Sequence, residues 1–136
     1  MRVNRDADAG RNLRRRGEVA LVGDWNVAPQ DEDVWDMQFF LDNGLTHVSA
    51  PERAAFRAFL EEAGYEDVVR PRHPGPGVYT YWDYKGLRFP KKEGMRIDFQ
   101  LYSPALAGRV TDASIDREER KGKGASDHAP VIVEIA

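Results

Sequence analysis

The chain has 136 residues, 41% hydrophobic and 32% charged, with 20 Lys+Arg against 23 Asp+Glu and a formal net charge of −3. That length suits one domain rather than two, and the mix is that of a soluble globular protein. Cysteine is absent, which excludes disulfides and thiolate metal sites. No apolar run is long enough to span a bilayer and no signal-peptide pattern opens the sequence, so no membrane contact and a cytoplasmic location are expected.

In chain order, residues 1–17 are polar, without an apolar period, and carry Arg11, Arg14, Arg15 and Arg16. Residues 18–23 (EVALVG) form a short apolar run ending at Gly-Asp, which predicts a buried strand. Residues 28–33 read as a loop, with acids gathered at Asp31, Glu32, Asp33 and Asp36. Ser49 and Glu52 make a capping box, and Ala55, Phe56, Phe59, Leu60 and Ala63 share the face of the helix it opens. Gly64 stops that helix. Residues 73–77 (HPGPG) predict a rigid turn, and 78–84 (VYTYWDY) are aromatic and β-prone.

A basic loop over 85–94 follows, holding Lys85, Arg88, Lys91 and Lys92. Residues 96–102 (RIDFQLY) alternate as a strand does, and 110–115 and 130–135 predict two more. Between these last two lie Arg117, Arg120 and a flexible basic loop over 121–126. One clear helix among four or five strands predicts a mixed α and β fold, mostly antiparallel. Cations and acids segregated in this way either form solvated surface or surround a polyanion and a cation site.

Three short constellations could carry chemistry. Gly23-Asp24-Trp25-Asn26 ends the first strand. Residues two apart in a strand share a side, so Asp24 and Asn26 could orient a water, a phosphate oxygen or a hard cation, although the same pattern also makes a plain turn. Asp98, within Arg96-Ile97-Asp98, sits in an otherwise apolar strand, where a carboxylate needs a cation or a histidine as partner. Ser126-Asp127-His128-Ala129-Pro130 precedes the last strand, placing an acid beside a histidine at a loop–strand junction. A capped turn would look the same.

Taken together and in this order, GDWNVAP, YTYWDY, GMRIDF and SDHAPV resemble the C-terminal signatures of the endonuclease/exonuclease/phosphatase superfamily. The closer likeness is to its exodeoxyribonuclease III and abasic-site endonuclease branch. It extends over roughly residues 19–135. The resemblance implies an α+β chain, half of a four-layer α/β sandwich, with one mostly antiparallel sheet and a helix layer. Residues 18–136 would be that C-terminal half, and 1–17 a segment that does not match.

The resemblance further implies a DNA-repair phosphodiesterase, a 3′-5′ exonuclease and abasic-site endonuclease that needs Mg2+, with Mn2+ as an alternative. Its partners would be double-stranded DNA and abasic sites. By the family's pattern Asp24 would activate or orient the attacking water and Asn26 would contact the scissile phosphate. Asp98 would support His128, His128 would stabilise charge developing on the phosphate, and Asp127 would be the metal ligand. Tyr81, Met95 and Ile97, with Trp82 beside them, would line an apolar slot for a flipped sugar that lacks its base.

The family's N-terminal half, with its metal-binding Glu and catalytic Tyr, has no counterpart in this sequence. Glu18 precedes the first strand in a different context. Two expectations follow: an incomplete metal site, and an apolar sheet face left open to a second copy or to a complementary half. Two readings therefore compete with the nuclease. One is a folded half that dimerises or binds DNA without cleaving it. The other is a superfamily phosphatase, which the aromatic segment and cationic loop disfavour.

Overall fold

The computed structural model describes residues 7–9 and 17–136. The early arginine cluster and the proposed non-matching segment lie almost wholly outside the described residues. The elements run β1 (Ala20–Asp24), α1 (Met37–Asp42), α2 (Ala50–Glu61), β2 (Glu66–Asp67), β3 (Asp98–Tyr102), α3 (Pro104–Ala107), β4 (Val110–Ile115) and β5 (Val131–Ile135). Every ladder is antiparallel: β1-β3-β2 form one sheet, and β4 pairs with β5 in a second. The Gln100 side chain joins them, its Nε2–H donating to the Val131 carbonyl at 2.8 Å. The mixed, antiparallel architecture is the one expected, with its strands in two ladders that this bond and the packing of Val110 and Val133 on Tyr102 hold together.

Helix α2 starts where its capping box does. The Ser49 hydroxyl accepts from the Glu52 N–H, and the Glu52 carboxylate accepts from the Ser49 N–H at 3.1 Å. Phe56, Ala58 and Phe59 are its buried residues. Phe56, Phe59 and Ala63 of the expected face are buried and Leu60 packs beside them, while Ala55 is exposed and Ala58 is buried in its stead. Phe56 and Phe59 pack with Phe99, Leu101 and Tyr65 against the outer face of the sheet, and Trp25 meets both phenylalanine rings edge-on. Each such side chain contributes about 1.5–3 kcal/mol by leaving water.

Residues 78–84 differ from the expected strand. Only Tyr81 pairs, through single bridges to Met95 and His128. The reason is Trp82, 2% exposed, which turns inward onto Tyr79 and Phe89. The chain bends to bury it, and Gly94 passes so close that a Cβ there would lie 2.6 Å from the Trp82 Nε1.

The acids at 31–36 are consumed by structure. Asp33 is fully buried and pairs with Arg70 and Arg96. Arg96 also reaches Asp67 at 2.8 Å. Asp36 caps α1 by accepting from the Phe39 N–H at 3.1 Å, and Asp31 pairs with Arg53 at 2.8 Å. Among the cations of the basic loop, Arg88 pairs with Glu93 and lies over the rings of Trp35 and Phe39. No helix of the described residues is long and apolar enough to cross a membrane.

Candidate active site

Strand register builds the site. In the β1–β3 ladder Asp24 stands directly opposite Asp98 at the end of both strands. Like charges facing each other across strands destabilise a sheet, so something must compensate. His128 does so. Its Nδ1–H donates to the Asp98 Oδ2 at 2.8 Å, and its Nε2 lies 3.7 Å from the Asp24 Oδ2 and 3.9 Å from the Asp127 Oδ1. The sequence allowed Asp98 either a cation or a histidine; the histidine is its partner, and Arg96 is taken up by Asp33 and Asp67.

Hydrogen bonds from the aromatic segment hold Asp98 and Asp127 in place. The N–H groups of Ile97 and Asp98 both donate to the Thr80 hydroxyl at 3.1 Å. Thr80 is itself fully buried, and its carbonyl accepts from the Ala129 N–H at 2.8 Å. The Trp82 N–H donates to the Asp127 carbonyl at 3.0 Å. The aromatic segment 78–84 is therefore a clasp between the strand that carries Asp98 and the loop that carries Asp127 and His128.

Burial pushes the Asp98 carboxyl above its ordinary value of 3.8. Hydrogen bonds from Thr80 and His128 oppose the rise without cancelling it, and the negative Asp24 adds to it. Burial also raises the Tyr81 phenol, helped by Asp83 and Asp127, so Tyr81 stays neutral at physiological pH.

Asn26 leaves the strand. Its φ of +52° is left-handed, and its N–H returns to the Asp24 Oδ1 at 2.9 Å. The side-by-side placement expected from strand alternation is replaced by a turn that ties the two residues together. Sequence reasoning missed the residue that holds this turn. His47, also left-handed with a φ of +79°, donates from Nδ1–H to the Asn26 carbonyl at 2.7 Å, and its own carbonyl accepts from the Ala28 N–H at 2.8 Å. Non-glycine residues rarely adopt this conformation, and two bonded to each other mark a place where geometry is bought with strain. Nothing in the local sequence around His47 signals it.

The residues expected to line an apolar slot separate by depth. Tyr81 is half-buried, and its ring centroid lies 5.0 Å from that of His128. Met95 and Ile97 belong to a buried cluster with Ala28, Val34, Phe40 and Val48, against which Tyr81 packs. Trp82 lies in the core on Tyr79 and Phe89.

Asp24, Asp98 and His128 each offer a ligand atom within 4.8 Å of the others. Carboxylates are the donors a hard divalent cation takes, usually six or more oxygens at once. Asp24 and Asp127, about one-third exposed, are free to offer oxygens, whereas Asp98 already serves His128. The donor set fits part of a hard-cation site, with water or substrate oxygens required to complete it.

A family profile described as the endonuclease/exonuclease/phosphatase family matches residues 2–128. An exodeoxyribonuclease of Bacillus subtilis is 36% identical over 120 residues, which are 88% of this chain and 45% of that protein. The chain thus spans about half the length of the curated relatives it matches. Among solved structures, a 3′ phosphatase, NExo, from Neisseria bound to a product DNA hairpin superposes with a TM-score of 0.88 at 37% identity. That match covers 96% of this chain and 50% of the other. An AP endonuclease from Archaeoglobus fulgidus superposes with a TM-score of 0.81 at 28% identity, covering 97% of this chain and 52% of the other.

Proposed function

Since the chain belongs to the endonuclease/exonuclease/phosphatase family, we propose that it carries the hydrolytic centre of a DNA-repair nuclease of the exodeoxyribonuclease III type. The 3′-5′ exonuclease and abasic-site endonuclease activities belong to this reading, with double-stranded DNA as substrate and a cytoplasmic location. Residues 18–136 act as the unit that holds the centre. One observation carries the reading: Asp24 and Asp98 face each other across a strand pair with His128 bonded to one and turned toward the other.

Each residue has a role that the geometry supports. Asp98 accepts from Nδ1–H and so fixes the tautomer and orientation of His128, leaving Nε2 toward the open side. Asp24, more than one-third exposed and tied to the Asn26 turn, orients a water and takes its proton. Asn26, exposed at that turn, donates from its side-chain amide to a phosphate oxygen. With both ring nitrogens protonated, His128 donates from Nε2 to the phosphate as charge grows on it. Attack of the water oxygen on phosphorus breaks the bond to the 3′ oxygen, which takes a proton from solvent water to become the 3′-hydroxyl and leaves a 5′-phosphate, and Asp24 returns its proton to solvent.

Asp127, with Asp24 near it, would hold a divalent cation, Mg2+ or Mn2+, which when bound neutralises phosphate charge. Tyr81 would meet the sugar of an abasic site, with Met95, Ile97 and Trp82 supporting it from behind.

The sheet face opposite α2 favours a partner as well. Val22 on that face is 63% exposed, and Ile132 on β5 is 43% exposed. We read this as the seat of a second copy or a complementary half.

The catalytic reading is tested by incision of a duplex carrying one abasic-site analogue, with magnesium and then with EDTA. Magnesium-dependent incision that disappears in Asp127→Ala and His128→Ala is the expected result. No incision by a folded chain supplied with a complementary half would sink it.

A further inference from the structure

Glycine is the residue that takes a positive φ most readily. Position 47 has a φ of +79° and carries histidine instead. The main chain there does not need a ring. Its carbonyl accepts from the Ala28 N–H at 2.8 Å, and the Glu52 carboxylate accepts from the His47 backbone. Glycine would keep both bonds. What only the side chain supplies is a third, from Nδ1–H to the Asn26 carbonyl at 2.7 Å. A carbonyl oxygen can only accept, so the ring holds its proton on Nδ1, and the neutral and charged rings both make the bond. Strain kept for the sake of one contact points to a use for that contact.

The contact falls on a residue of the centre. Asn26 has a φ of +52°. Its N–H donates to the Asp24 Oδ1 at 2.9 Å, and its carbonyl accepts from His47. These two bonds hold the peptide on each side of the Asn26 Cα, which sets the direction in which its exposed side chain leaves. The same N–H engages one oxygen of Asp24, while the other, Oδ2, lies 3.7 Å from the His128 Nε2. His47 is anchored in turn. It stands two residues before Ser49, the N-cap of α2. Arg53, near the start of that helix, donates from Nε to the Ala28 carbonyl at 2.9 Å. Helix α2 therefore grips the 26–28 turn from its own capped end.

We propose that His47 is a positioning residue for hydrolysis. Its imidazole locks the Asn26 turn, aiming the Asn26 amide at the phosphate and holding the Asp24 carboxylate toward the water. This rests on the catalytic roles proposed for Asp24 and Asn26. Misplacing such groups slows the chemical step more than it weakens binding.

The test compares His47→Gly with His47→Asn. Glycine suits the backbone and deletes only the ring. Asparagine tolerates a positive φ and offers an amide N–H in place of Nδ1–H. Single-turnover incision of the abasic-site duplex, with magnesium and the complementary half present, should slow roughly three- to tenfold in His47→Gly, as expected for one hydrogen bond. The half-saturating concentration should stay near the parent's. His47→Asn recovers most of the rate. In an Asn26→Ala background His47→Gly should slow incision far less, since the group it aims is gone. A parental rate in His47→Gly, or the same loss in both backgrounds, overturns the proposal.

Amide exchange followed by NMR is a readout that needs no activity. His47→Gly should speed exchange of the Asn26 N–H roughly three- to tenfold. The Ala28 N–H, bonded to a main-chain carbonyl that glycine retains, should exchange at the parent's rate. Unchanged Asn26 exchange overturns the proposal. A parent chain that never incises sinks the catalytic reading, and Asn26 exchange then decides whether His47 locks the turn.

Discussion

At the scale of single residues, the economy of the site lies in a repulsion put to use. Asp24 and Asp98 face each other at the end of a ladder, where two apolar residues would stabilise the sheet better. His128 reconciles them, and in doing so is fixed by the more buried acid. Asp98 is therefore a positioning residue, and its loss should act through His128. Asp98→Asn is expected to lower incision roughly 10–100-fold, as loss of a histidine's supporting carboxylate does, with DNA affinity nearly unchanged. Single-turnover incision and nitrogen-detected NMR of the His128 ring check this, the second reporting a lost Nδ1–H bond to a carboxylate. The apolar strand around Asp98 demanded a partner but left a cation and a histidine both open; it was the resemblance of the RID and SDH patterns to the family's that implied His128. His47 was not legible, because its work is done through a backbone carbonyl 21 residues away, and a contact to main chain leaves no pattern in the side chains it touches.

At the scale of elements, local chemistry was readable where it is local. The box at Ser49 and Glu52 announced α2 because both partners lie within one turn. Short α1, six residues capped by Asp36, carries too few turns for an apolar period to show. The 78–84 segment shows tertiary packing overriding β-propensity, since burying Trp82 against Phe89 outweighs continuing a ladder. Ser49→Ala should cost about 1 kcal/mol, read as a shift in the urea midpoint.

Glu52 adds a pH dependence to the same cap. Burial raises its carboxyl, but hydrogen bonds from the Ser49 hydroxyl and N–H, together with the His47 backbone and charge, outweigh burial and hold it below its ordinary 4.5. A depressed carboxyl stabilises the fold above its unfolded value and loses that contribution as pH falls through the lowered one. The cap should therefore weaken only below about pH 4.5, and Glu52→Gln should remove that part of the acid sensitivity. Urea midpoints of the two chains between pH 3 and 7 give the comparison.

At the scale of the whole molecule, two features govern whether 136 residues suffice. The first is the open face around Val22. If a second copy covers it, Val22→Asp should shift the chain from dimer to monomer in sedimentation velocity without lowering helix content; a chain that is monomeric before the substitution contradicts self-association there. The second is the buried network in which Arg96 ties Asp33, ahead of α1, to Asp67 of β2, with Arg70 completing it. Its members are up to 63 residues apart, so no sequence pattern betrays it. The acids at 31–36 read first as solvated surface and second as part of a cation site.

Arg96 is 2% exposed. Burial works against its charge, yet Asp67 and Asp33 outweigh burial and raise its affinity for the proton. Arg96 also lies over the Phe99 ring at 4.6 Å, joining the network to the core under α2. Replacing it with Met leaves Asp67 without its cation and Asp33 with Arg70 alone. Breaking a buried pair from one side costs about 3–5 kcal/mol, much of the 5–15 kcal/mol that holds a domain together. Arg96→Met should therefore unfold at far lower urea than the parent, and adding Asp67→Asn should restore part of the loss by removing the charge left without a cation. An Arg96→Met chain with the parent's urea midpoint would mean that the sheet and helices hold without this network.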